Sequence, residues 1–440
     1  ASDEAIRQVV RKGKAIAHPE LGHAVHVEIA GLEPAREYFY RFTAGGEQSA
    51  IGRAKTLSGA GTTIDELRFA AAGCQKYEDG HFTAWRHIAA ERLDFVFHYG
   101  DYIYEYNTPP SRTIPPIVRT LPGVSGESYT LDEYRQRYAA YKLDPDLQAA
   151  HASAPFVVSF DDHEVRNNWA GDFAARRTPP ELFLLRRAAA FQAWYEHMPL
   201  RRAQLPRGPD ILAYRRIVAG DLLAMNVLDT RQYRSRQPCG SGRKPACPEA
   251  LEPARTMLGD AQERWLYAGF RDPHPRWTLL AQQVPLMQRD FDPDPAVYAM
   301  EMDKWSGAIA ARERLLAAAK DARLGNLVVV TGDVHHNCVG ELKEDFSDPG
   351  SATLGTEFVG TSITSGGDGS DTTERFQALL EQDPHIRFYN NQRGYVRHVV
   401  TPERWQADLR VLDKVSVPDG RISTRRSFVI EHGRPGLADA

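Results

Sequence analysis

The chain has 440 residues, 42% of them hydrophobic and 25% charged, with a formal net charge of −4. That balance suits a globular protein with one large domain, or a large and a small one, and ample chain for a core. No Lys/Arg-rich run marks a nucleic-acid-binding face, and no apolar run of about 18 residues marks a membrane span. No signal peptide is visible; Ala1 opens within sequence that reads as folded, which is compatible with a leader already removed.

The first elements read as strands. HAVHVEIAGL (23–32) alternates apolar and polar residues, and the following segment sets Tyr38, Tyr40 and Phe42 on one face. The Leu-x-Pro turn leading into these tyrosines resembles the tyrosine corner of fibronectin- and immunoglobulin-like sandwiches. Residues 1–57 thus read as a small β-sandwich-like module, with room for three or four strands where a sandwich has about seven. It is either abbreviated or continued by strands outside this chain. SGAGTT (58–63) reads as a linker.

Beyond it, residues 64–435 read as a second domain in which strands alternate with helices. Apolar runs fall at 67–74, 94–101, 155–162, 222–231, 276–284 and 326–333. Helical patterns fall at 82–93, 180–195 and 308–322. This alternation predicts an α/β core of buried strands flanked by helices. In CGSGRKPAC, Cys239 and Cys247 flank a short polar loop. Such a pair reads as a disulfide in an exported protein and as coincidence in a cytosolic one.

The strand ends carry the chemistry. The first closes on Cys74, the second on Asp101 with Tyr104 just beyond, and the third on Asp161, Asp162, His163 and Glu164. VVVTGDVHHN closes the last on Asp333 and His335. One acid after a strand is ordinarily a turn or a cap. Thiol, carboxylate, phenol and imidazole at four strand ends would converge where open α/β sheets bind ligands, and point to metal.

GCQ (73–75), GDYIYEY (100–106), DDHEVRNNW (161–169), LDTRQYR (228–234), TGDVH (331–335) and TSITSGG (361–367) occur in one order. In that order they resemble the alkaline phosphatase D family of metallophosphoesterases, which includes a calcium-dependent phospholipase D type of enzyme. The resemblance spans about residues 32–399 and implies a metallophosphoesterase-like α+β sandwich. It implies Fe(III) on Cys74, Tyr104 and His335, with Asp101 bridging to Ca²⁺ on Asp162 and Asp333. The ligand chemistry agrees, since soft and imidazole donors suit a transition metal and carboxylates a hard ion.

The same resemblance implies a secreted hydrolase of phosphomonoesters and phosphodiesters working through a metal-activated hydroxide, with phospholipid head groups as the alternative substrate. It makes His163 the general acid or transition-state donor at the leaving oxygen, where the residue alone would also read as a helix-start residue donating to a backbone carbonyl. Asn168, with Asn167, is open to a calcium, a phosphate or a helix-cap role. Arg231 is open to forking onto phosphate or to an ion pair with Asp229 or another acid. His336 reads as supporting structure, Cys338 as a small buried side chain, and Tyr102, Tyr106, Trp169 and Tyr233 as a cleft wall or as packing. The family's D-x-W-x-G-Y pattern stands as Asp303, Trp305, Gly307 and Ala308, departing at the tyrosine. A monomer is expected, and a catalytically silent surface-binding protein is the reading from another class.

Overall fold

The computed structural model describes residues 1–109, 111–112, 114–174, 178–240, 242–272, 275–292, 294 and 296–439. Side chains alternate across a strand, so a strand apolar throughout must be covered on both faces. Along Leu67–Ala72, Phe69 and Ala71 enter one buried cluster while Ala70 and Ala72 enter another. Along Leu327–Thr331, Val328 and Val330 enter the first of these clusters, and Leu327 and Val329 a third.

The shared cluster is the interior between two seven-stranded sheets. In one, Leu67–Ala72, Phe95–His98 and Phe156–Val158 run parallel, followed outward from Leu67–Ala72 by the antiparallel strands Gly394–Val400, Arg404–Leu412, Ile422–Glu431 and Arg434–Asp439. In the other, Leu223–Val227, Trp277–Ala281, Leu327–Thr331 and Thr353–Val359 run parallel between antiparallel edges. Helices Thr83–Ala90, Leu131–Tyr141 and Pro180–His197 cover the first sheet's outer face through Trp85, Tyr138 and Phe191. Gly259–Gly269 and Ile309–Asp321 cover the second through Leu266 and Leu315. The predicted mixed sandwich is present, with its last strand running to Asp439.

The N-terminal region differs from its sequence pattern. Residues 23–32 form no strand, and Val27 and Ile29 are exposed, because no neighbouring segment pairs with them among the described residues. The strands present are Glu37–Tyr40 paired with Gly52–Lys55, and the short hairpin Thr43–Ala44 with Glu47–Gln48. Tyr38 is buried, whereas Tyr40 and Phe42 are exposed. The Tyr38 hydroxyl accepts from the Glu33 backbone N–H at 2.9 Å, the bond that defines a tyrosine corner. Arg53 ties this region to the rest of the chain by donating to the carbonyls of Leu93 and Ser153 at 2.7 and 3.0 Å. Cys239 and Cys247 form a disulfide. Among the described residues, no helix is long and apolar enough to cross a membrane.

Candidate metal centre and active site

Four parallel strands, three from one sheet and one from the other, end at the same rim of the sandwich, and the turns after three of them pass through the left-handed region. Cys74, Asp101, Asp333 and His335 all have φ between 53° and 67°. For residues with a Cβ this left-handed region is sparsely populated and is retained where surrounding structure enforces it. The glycines beside them permit close approach. A Cβ on Gly100 (φ 123°) would lie 2.5 Å from the Asp161 backbone nitrogen, and one on Gly332 would lie 2.2 Å from the Tyr99 ring.

Cys74, Asp101 and His335 each offer a donor atom within 4.8 Å of the others. The Tyr104 hydroxyl sits among them, 3.0 Å from Asp101 Oδ2 and 3.0 Å from His335 Nε2, and it accepts from Ser365 Oγ at 2.6 Å. Burial, then the nearby Asp101 charge, pushes both the Cys74 thiol and the Tyr104 phenol well above their ordinary pKa. These groups hold their protons until a cation favours the anion.

Asp101 belongs to a second group as well, with Asp162 and His163. Asp333, assigned with Asp162 from the sequence, lies outside both groups. Its carboxylate pairs with Lys304 and lies 3.4 Å from Arg231 Nη2, which also reaches Asp162 Oδ2 at 3.8 Å. Asp162 and Asp333 therefore flank one guanidinium nitrogen. The Asn168 backbone N–H donates to Asp162 Oδ2 at 2.8 Å, and one terminal amide atom stands 3.1 Å from Asp162 Oδ2 and 3.2 Å from Asp303 Oδ2. As nitrogen that atom donates to both carboxylates; as oxygen it completes an oxygen set for a hard cation. Asn167 contributes its backbone N–H to Glu105.

His163 stacks on Tyr104 with ring centroids 4.1 Å apart, and its Nδ1 pairs with Glu105 Oε2 at 2.6 Å. Burial lowers its pKa, but the charges of Asp162, Glu105 and Asp101 outweigh that and hold it well above the usual histidine value. Both ring nitrogens then carry protons, with Nε2 directed toward Asp162 at 4.0 Å.

Arg231 is fully buried and its fork is engaged: Nε donates to Asp161 at 2.6 Å and Nη1 to Asp303 at 2.8 Å. This geometry favours the ion-pair role over a phosphate fork, with Asp161 and Asp303 as partners. Asp229 instead accepts from the Arg231 backbone N–H. His336 accepts from Arg289, and burial with the Arg289 and Arg393 charges pushes it well below its usual value, so it stays neutral. Cys338 is a buried free thiol pushed up to about 12 by burial. Of the four aromatics, Tyr106 lies beside His163 at 5.7 Å, Tyr102 and Trp169 are packed in the core, and Tyr233 sits edge-on to Tyr214.

The "PhoD-like phosphatase" family model matches residues 69–409, and the "PhoD-like phosphatase, N-terminal domain" model matches residues 1–58. The chain belongs to the PhoD-like phosphatase family. It is 47% identical to alkaline phosphatase D of Bacillus subtilis (strain 168) over 438 residues, covering 99% of this chain and 74% of that protein. A solved structure of PhoD, also 47% identical, matches with a TM-score of 0.97 over 100% of this chain and 84% of that one. A purple acid phosphatase from yellow lupin seeds shares the fold alone, with 12% identity and a TM-score of 0.53 over 92% of this chain and 61% of that one. As a PhoD-like phosphatase the protein is a phosphoric ester hydrolase.

Several residues at this rim escaped the sequence reading. Glu105 lay inside GDYIYEY and Ser365 inside TSITSGG, unremarked because neither is a metal-ligand type at ligand spacing. Asp303 was noted only as part of a pattern, and its neighbour Lys304 carried no signal. Their contacts with Arg231 and Asp333 join loops far apart in the chain.

Proposed function

We propose that the protein is an exported, metal-dependent hydrolase of phosphomonoesters and phosphodiesters. In this reading Cys74, Asp101, Tyr104 and His335 hold Fe(III), and Asp101, Asp162 and Asp333 hold Ca²⁺. One observation carries it: Asp101 is common to two adjoining donor groups, one with thiol, phenol and imidazole and one with the Asp162 carboxylate beside His163. The residues fit such ions. Buried Cys74 and Tyr104 need a cation to ionise, and Asp161 Oδ2 is a buried carboxylate oxygen without a hydrogen-bond partner. Bound cations lower the pKa of water and neutralise charge on the phosphoryl oxygens.

The chain's own groups do the rest. His163 delivers its Nε2 proton to the leaving oxygen. Glu105 fixes the imidazole through Nδ1, and Asp162 together with Glu105 keeps it charged. Arg231 holds Asp161 and Asp303 in place around the carboxylate set. Export is supported by the Cys239–Cys247 disulfide, which persists in an oxidising compartment. Residues 1–57 are read as a module bracing a catalytic domain that begins at residue 64, a division supported by the two family matches.

The test is metal exchange. Removal of calcium with EGTA should abolish hydrolysis of p-nitrophenyl phosphate while iron stays bound, and added calcium should restore it. Full activity after exhaustive calcium removal would contradict the assignment of Asp162 and Asp333.

A further inference from the structure

Beside Asp333 lies a groove of about 320 Å³. Lys304 and Asp333 of the reactive rim line it together with Arg243 and Arg289. Arg243 sits 3.8 Å from the Glu301 carboxylate. Arg289 is different. Only 8% exposed, it pairs with no carboxylate among the described residues. Its guanidinium is held over the rings of Phe291, Phe376 and Tyr389, at 4.7, 5.3 and 5.6 Å from their centroids. Its Nη1 donates to His336 Nε2, and its other N–H groups make no hydrogen bond to the described residues.

A largely buried cation without a counter-ion is unfavourable unless a ligand completes it. Aromatic rings surround the planar fork, and such a fork matches the oxygens of a carboxylate or phosphate. Phe376 stacks on Tyr389 at 3.6 Å, which fixes part of that wall. Lys304 extends the cationic side of the groove to the Asp333 carboxylate, so an anion in the groove and the scissile phosphorus can belong to one molecule.

We infer that this groove is a subsite for a second anionic group, carboxylate or phosphate, on the part of the ester that extends from the phosphorus, with Arg289 as its anchor. The inference rests on the phosphoester-hydrolase reading of the adjoining site and adds a substrate preference to it. A tail ending in a neutral or cationic group gains nothing from Arg289.

The experiment compares four p-nitrophenyl phosphodiesters whose second alcohol has one linker ending in carboxylate, phosphate, primary amide or trimethylammonium. At least one anionic tail should be preferred over the amide by about tenfold in kcat/KM, mainly through KM, as a charge-assisted hydrogen bond implies. The two anionic arms identify which anion is taken. Arg289→Met, which keeps the side-chain stem, should collapse that ratio, and Arg289→Lys should retain part of it. Equal kcat/KM for anionic and amide tails in the unaltered protein overturns the subsite, as does an undiminished ratio in a folded Arg289→Met. If that variant does not fold, Arg289→Lys decides: an undiminished ratio there overturns the role of the fork. Hydrolysis of none of the four overturns the phosphodiester part of the proposed function, a separate outcome.

Discussion

The two halves of the candidate centre solve the same electrostatic problem in opposite ways. On the Cys74 side, thiol and phenol stay protonated, and Tyr104 is placed by bonds to Asp101, His335 and Ser365. On the Asp162 side, the carboxylates of Asp161, Asp162, Asp303 and Asp333 face cations already built into the chain, Arg231 and Lys304. Taking up an ion therefore means different things. The first half must release protons, so its ion should bind more weakly as pH falls. The second must displace the Lys304 ammonium from Asp333.

The largest expected effect tests whether His163 belongs to the reaction rather than to either ion. His163→Ala should keep both metals and lose about 10²–10⁴-fold in activity on alkyl phosphates. It should lose far less on p-nitrophenyl phosphate, whose leaving group needs little protonation. Equal losses would assign charge stabilisation instead, and loss of a metal would make His163 a ligand.

Lys304 sharpens the contrast between the halves. In metal-free protein, Lys304→Met leaves Asp333 short of a counter-charge and should cost roughly 3 kcal/mol of stability. Calcium should restore more stability to this variant than to the unaltered protein, and calorimetry should show tighter calcium binding. An unchanged calcium affinity would mean that Lys304 does not compete with the ion.

A smaller effect is expected from Glu105→Gln, roughly tenfold to a hundredfold, as for other carboxylates that orient a histidine. Glu105 helps to hold the His163 pKa up, so removing its charge lowers that pKa. The alkaline fall-off of alkyl-ester hydrolysis should then begin at lower pH. A uniform loss with an unshifted profile would reduce Glu105 to packing.

Much of the centre was readable because it sits at strand ends, where an apolar run gives way to a short ligand-bearing turn. Cys74, Asp101 and Asp333 stand out this way, each just past a strand whose buried pattern is unambiguous, although Asp333 lies outside both donor groups. The four antiparallel strands from Gly394 onward were not anticipated. Charged residues such as Arg397 and Arg410 interrupt their apolar pattern, and hydropathy does not reveal that strands belong to two stacked sheets. Residues 23–32 show the converse, a strand-like alternation without a partner to pair with. Glu105 and Lys304 act through contacts 58 and 29 positions away in the chain, with His163 and Asp333, and local spacing carries no trace of such contacts.

The most direct test of the account is elemental analysis of purified protein, taken together with its visible spectrum. One iron per chain, calcium alongside it, and a charge-transfer band that disappears in Cys74→Ala and Tyr104→Phe are the predicted result. A colourless, active protein carrying stoichiometric zinc would contradict it.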